Sequence, residues 1–162
     1  MYGMWLRVTP AELARGRDDL DWLQEHAEAI VEIDDDARWN STDKTWHALD
    51  HLLRRRGFPV SIVLGEECFV DDEEDTDVDW GYGPPRYLTP EQVRAAAEAL
   101  AALTEADLIE GVDVADLAKA EIYPSVWDDP AELPWAAHAL PSAQTLFAEA
   151  AKDGDAIICW IE

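Results

Sequence analysis

Between Asp43 and Leu53 the chain reads Asp-Lys-Thr-Trp-His-Ala-Leu-Asp-His-Leu-Leu, gathering two carboxylates, two imidazoles and an ammonium around one indole. On a helix, residues four apart share a face, so His47 and His51 are spaced to hold one metal ion, with Asp43 one turn earlier. The same face could move protons: Asp43, His47, Asp50 and His51 are the candidate catalytic groups, and Glu121, beside Tyr123, is the outside group that could complete them. A metal centre needs its full ligand set, and only Asp43, His47 and His51 offer themselves, so no metal and no cofactor are assigned. The alternative is a solvated helix face whose histidines pair with Asp43 and Asp50.

No other stretch carries a catalytic signature. GxSxG, the phosphate-cradling glycine loops and the dinucleotide fingerprint are missing, and no serine sits in a nucleophile motif. Acids outnumber bases 36 to 12, for a formal charge of -24, which repels polyanions. Nucleic-acid binding, which relies on clustered Lys and Arg, is excluded, and the partner such a surface suits is a basic protein. The charge peaks from Asp71 to Asp79. Asp75, Asp77 and Asp79 imitate the first ligands of an EF-hand loop, but Trp80 stands where its glycine belongs and Arg86 where its bidentate glutamate belongs. Trp5, Trp46 and Trp160 fall in apolar segments and read as core. Trp80 and Trp127 lie beside acidic stretches and read as the edge of a groove, with Lys44, Tyr82, Arg86 and Tyr123 as further binding candidates.

The elements that must position these groups follow from periodicity and end signals. Tyr2 to Val8 is a β-type run, and Thr9-Pro10-Ala11-Glu12 is a capping box that turns the chain into a helix. Leu13, Leu20, Leu23, Ala27 and Ile30 continue the stripe, with Gly16 expected to interrupt and Asp18 to restart it. After Asp34-Asp35-Asp36, Asn40 or Ser41 is the expected N-cap of the Asp43–Leu53 helix. Its apolar arc is Trp46, Leu49, Leu52 and Leu53, its polar arc Asp43, His47, Asp50, His51 and Arg54, and Arg54-Arg55-Arg56-Gly57 ends it. Val60 to Leu64 fits a strand or a buried helical turn equally well. Thr89-Pro90-Glu91-Gln92 and Thr104-Glu105-Ala106-Asp107 are start signals, Val114 to Ala118 reads as helical, and Asp129-Pro130 opens a helix broken near Pro141 that runs on to Gly154. Ala156 to Ile161 is apolar throughout, as a central strand buried on both faces would be, and it is expected beside Tyr2 to Val8.

Together these predict an α+β fold: a single domain over residues 1–162, with a small mixed sheet that includes the N-terminal and C-terminal strands, packed with several helices. Cys68 and Cys159 form neither a CxxC nor a zinc pattern and, each in an apolar context, read as buried reduced thiols. With no signal-peptide core and no membrane-length apolar run, the expected location is cytoplasmic, and no oligomeric state is specified.

Asp43-Lys44-Thr45-Trp46-His47-Ala48-Leu49, Val63-Leu64-Gly65, Gly81-Tyr82-Gly83-Pro84-Pro85-Arg86-Tyr87-Leu88, and Ile122-Tyr123-Pro124 with Trp127 follow one another in an order that resembles the YfbM-like bacterial family of unknown function. The resemblance runs over nearly the whole length. It implies an α+β domain with a small sheet and no assigned activity, with Lys44, Trp46, Tyr82, Arg86 and Tyr123 as shared residues and Arg86 paired to a neighbouring acid. Similar members carry histidine in place of Asp50 and an aromatic residue in place of His51, which weighs against a metal role. The first functional expectation is a non-enzymatic acidic binding protein. The alternative is a small-molecule-binding domain or hydrolase-like enzyme using the Asp/His face.

Overall fold

The structure, a computed structural model, describes residues 1–34, 37–70, 78 and 80–162. In chain order its elements are β1 (Gly3–Val8), α1 (Pro10–Asp18), α2 (Leu20–Glu32), β2 (Trp39–Ser41), α3 (Trp46–Arg55), β3 (Glu67–Cys68), β4 (Arg86–Leu88), α4 (Pro90–Ala101), α5 (Glu105–Ile109), α6 (Val114–Lys119), α7 (Leu140–Asp153) and β5 (Ala156–Ile161). Short 3₁₀ segments cover Asp43–Thr45 and Pro130–Ala137. The expected acidic loop from Asp71 to Asp79, with the three aspartates of its EF-hand frame, lies, apart from Val78, outside the described residues, as do Asp35 and Asp36.

The strands form one sheet in the order β2-β1-β5-β4-β3. β5 pairs with β1 along its whole length, Gly3 opposite Ile161 and Val8 opposite Ala156, and with β4 on its other side. The α+β class and the two terminal strands are as expected, but every ladder among the described residues is antiparallel, so the sheet is not mixed. The last residues of β1 and β4, Val8 and Leu88, lie against the first of β5, Ala156 and Ile157. Helices α4 to α7 thus return the chain to the end of the sheet it left, and β5 runs back against both neighbours.

Alternation divides the strands between two cores. Trp5, Leu88, Ile157 and Cys159 face a large core with α3, α4, α5, α6 and α7. Met4, Leu6, Val8, Tyr87, Ile158 and Trp160 face a smaller one with α1, α2 and Trp80. Buried on both faces, β5 has no position for a polar side chain, which is why it is apolar throughout. Each large apolar side chain it removes from water contributes up to about 1.5–3 kcal/mol.

The helix starts read from sequence form as reciprocal caps. Thr9 with Glu12, Thr89 with Gln92 and Thr104 with Asp107 each exchange two side-chain to backbone hydrogen bonds. Gly16 does not break α1. A Cβ there would stand 2.7 Å from Leu23 Cδ2, so the glycine admits the close crossing of α2. The break falls at Asp19, whose carboxylate accepts from Trp22 N and starts α2. Asn40 and Ser41 belong to β2 rather than capping α3, and Val60–Leu64 is an irregular turn. No described helix is long and apolar enough to cross a membrane.

Candidate functional site

α3 is anchored at its start by Thr42 and Thr45, both fully buried. Thr42 Oγ1 accepts from Gly3 N at 3.1 Å and donates to Gly3 O at 3.2 Å, fastening the turn to β1. Asp43 takes φ 53 in that turn, so it stands outside the α-helix that begins at Trp46. The Trp46 ring stacks on His47 at 4.9 Å and on Tyr123 at 6.2 Å between centroids. Its Nε1 is buried without a hydrogen-bond partner. His47 Nδ1 accepts the backbone N–H of Tyr123 at 3.0 Å, tying α3 to the turn after α6. Burial holds the His47 pKa below the ordinary histidine value; the Asp50 carboxylate opposes this and His51 adds to it. The ring is therefore neutral, with its proton on Nε2, because Nδ1 is taken up as an acceptor.

One turn further on, the polar arc is buried at Asp50 and exposed at Arg54. Asp50 is 8% exposed and pairs with Arg54, whose Nε donates to Asp50 Oδ2 at 2.7 Å. Burial raises the Asp50 pKa, and the Arg54 charge and hydrogen bond, with His47 and His51, hold it down in part. Asp50 and Arg54 line a cleft of about 370 Å³, closed by Phe58, Ser61, Glu66 and Arg86. That volume falls in the range of small-molecule sites, roughly 300–1,000 Å³.

The far wall of the cleft is built by the 58–66 turn and β4. The Glu66 carboxylate accepts from Ser61 N at 2.6 Å, and Gly65 N donates to Ser61 O, which folds the turn tightly. Gly65 sits at φ 78, and a Cβ there would come within 2.8 Å of Arg86 Cβ, so this glycine lets the turn lie on β4. Arg86 Nη2 donates to the Glu66 backbone carbonyl at 2.7 Å; among the described residues its partner is that carbonyl rather than the acid expected for it. Ser61 Oγ and Arg86 Nε are buried with no hydrogen-bond partner. Two guanidinium groups and two carboxylates thus share one cleft, able to donate a planar fork of N–H groups and to accept at Asp50 and Glu66.

The remaining candidates disperse. Asp43, His47 and His51 do not gather as expected of a metal triad: among the described residues no three His, Cys, Asp or Glu side chains are placed to hold an ion. Asp43 has left the helix register. Lys44 and Glu121 are exposed, and Glu121 stands two residues from the contact Tyr123 makes with His47. Tyr82 is 65% exposed. Trp127 is not at a groove edge: it is 2% exposed, with its Nε1 donating to Ile122 O at 2.8 Å. Trp80 is packed edge-to-face on Trp160 and, though largely buried, lines a separate cleft across the sheet from the Asp50 cleft. Asp50 with Arg86, and His47 with Tyr123, are the candidate pairs from separate stretches that the fold brings together. Ser61 and Glu66 join Asp50 and Arg86; the Val63-Leu64-Gly65 motif falls in their turn but singles out neither residue.

A family model described as a domain of unknown function (DUF1877) matches residues 1–160. No protein of curated function matches the chain. Among solved structures it is similar to the crystal structure of a protein of unknown function, YfbM from Escherichia coli, with a TM-score of 0.69 and 17% identity over 98% of each chain. At that identity the likeness is one of fold.

Proposed function

Because the chain belongs to the DUF1877 family, a domain of unknown function, we propose its role from the site itself: it is a small-ligand-binding domain, and the ligand sits in the cleft between α3 and the 58–66 turn. The observation that carries this reading is the meeting of the Asp50 and Glu66 carboxylates with the Arg54 and Arg86 guanidinium groups on one cleft of small-molecule size. Arg54 and Arg86 match a carboxylate; Asp50 and Glu66 match an ammonium. The best-fitted class is a small zwitterion, of which a free amino acid is the simplest. Titrating the twenty common amino acids into labelled protein and following the amide resonances of residues 58–66 tests this. Saturable shifts that Arg86→Met abolishes support it, and unmoved resonances across the panel refute it.

A second reading concerns partners. The charge of -24 and the 65% exposed ring of Tyr82 favour a cytoplasmic protein that docks on a basic protein through the Asp71 to Tyr87 region. Neutralising Asp71 to Asp79 should then remove captured partners in a pull-down, and an unchanged set of partners rules it out.

A further inference from the structure

On the opposite side of the sheet from the polar cleft, a second one of about 270 Å³ opens between α2 and the C-terminal end of β5. Glu28, Val31 and Glu32 of α2 form one wall; Trp80, Trp160 and Glu162 form the other. The two indoles stand nearly at right angles, 79° apart with centroids 5.4 Å apart. Backbone contacts hold Trp80 in that position. Tyr82 N donates to Ile161 O at 2.8 Å and Trp80 N to Gly83 O at 3.3 Å. Gly81, at φ 132, lies so close to the strand that a Cβ would stand 2.8 Å from Ile161 O and 3.0 Å from Glu162 Cα.

We propose that this cleft receives a cationic side chain, arginine or lysine, of a basic protein partner. Three separate features favour a positive charge there. Indole faces attract cations through the ring quadrupole, and guanidinium groups also stack on them. Carboxylate residues line both walls, Glu28 and Glu32 from α2 and Glu162 from the end of the chain beside β5. The end of α2 is itself negative, because the helix dipole leaves partial negative charge on its last carbonyls. A helix usually answers that end with Lys or Arg, yet the last turn of α2 contains no basic residue and ends on Glu32. Glu28 accepts from Gln24 Nε2 at 3.3 Å, a neutral contact that leaves its charge uncompensated. A cation entering the cleft beside the two tryptophans meets all three at once. This site takes its occupant from the basic-partner reading above, but it stands on the opposite face from the zwitterion cleft.

The test uses the full chain, an N-acetylated and amidated tetra-arginine peptide and its tetra-citrulline counterpart, which keeps the shape and loses the charge. The eight tryptophans give eight indole N–H resonances, so binding can be assigned to individual rings. The arginine peptide should shift the Trp80 and Trp160 signals saturably, and the citrulline peptide should not. At fixed ionic strength, Glu28→Gln with Glu32→Gln should weaken binding by about fivefold or more, the scale of losing contacts to one partly desolvated cation. Glu91→Gln with Glu98→Gln, an equal charge change on exposed positions of α4, should weaken it less than about twofold. Equal weakening by both pairs, equal binding of the citrulline peptide, or shifts that spare Trp80 and Trp160 would each overturn the site. The first of these results would leave a general acidic attraction standing, which separates failure of the pocket from failure of the partner reading.

Discussion

Replacing His47 tests the join between α3 and the turn after α6. His47→Ala strands the Tyr123 N–H, which His47 Nδ1 now accepts at 3.0 Å, and strips one ring from the Trp46 stack. The stranded donor costs about 1 kcal/mol here, the lower end of its range because the contact is partly buried, and the lost ring packing about 1 kcal/mol more. The sum, about 2 kcal/mol, should lower Tm by about 4–8 °C for a chain of this size. His47→Asn, whose Oδ1 can stand where Nδ1 stands, should recover the hydrogen bond and about half the loss. The pH dependence separates the two variants from a mere packing effect. In the unfolded chain the imidazole takes its proton near pH ~6.5; in the folded chain burial holds it below that value. Over this interval the unfolded state binds more protons, so the contribution of His47 is fully present above pH ~6.5 and is lost as pH falls through the folded value. Asp50 has the opposite sign, since its raised pKa makes the folded state the better proton binder, but it acts in the carboxylate range and is common to all the proteins compared. Thermal melts of the three proteins between pH 8 and pH 5 should show wild type losing more stability on acidification than His47→Asn. Parallel curves would refute both the neutral assignment and the hydrogen bond as its cause.

Three further outcomes follow from the same contacts. Gly3→Ala forces a Cβ to within 2.5 Å of Thr42 Oγ1 and 2.7 Å of Trp46 Cβ, and the crowding with its weakened hydrogen bonds should cost about 2–4 kcal/mol in chemical denaturation. Asp155→Asn should cost about 2–3 kcal/mol, because Arg7 is buried and donates to that carboxylate from both Nε and Nη2. Asp153→Asn, at a side chain 53% exposed, should cost less than about 1 kcal/mol, and equal losses would contradict this division. Of the two cysteines, exposed Cys68 should alkylate rapidly in native protein. Cys159 should react only after denaturation, since burial pushes its pKa up and its Sγ donates to Ile62 O at 3.4 Å; mass spectrometry of the labelled native protein would show one adduct.

What the sequence reveals of this fold is what local chemistry can encode. The Thr9, Thr89 and Thr104 caps are visible because donor, acceptor and spacing lie within four residues. β5 is visible because burial on two faces leaves an unbroken apolar run. β2, β3 and β4, at two or three residues each, are too short to show any period, and they are strands only through the neighbours they pair with. The candidate site divides in the same way. Asp50 and Arg86 can be named one at a time, but their meeting depends on the 58–66 turn settling on β4, a tertiary event set by Gly65 and by hydrogen bonds from Ser61 and Arg86. Helical periodicity puts Asp50 on the polar arc of α3, and the packing of that turn over the arc is what buries it. Trp127 fails as a groove residue for a related reason: its Nε1 has a carbonyl to bond inside the core, which no neighbouring acid in the sequence discloses.

The pairing of β1 with β5 sets how this molecule must come apart. The ladder joins Gly3 to Ile161, positions separated by almost the entire chain, and it forms the middle of the sheet on which both cores rest. Closing so long a loop costs entropy before any contact repays it, so the ladder forms late and folding is slow for the helical content. Once it forms, both cores rest on the same two strands, so losing the ladder unfloors both together. Native-state hydrogen exchange should therefore find the amides of β1 and β5 opening together, at the free energy of global unfolding, while α5 and α6 at the periphery exchange through smaller openings.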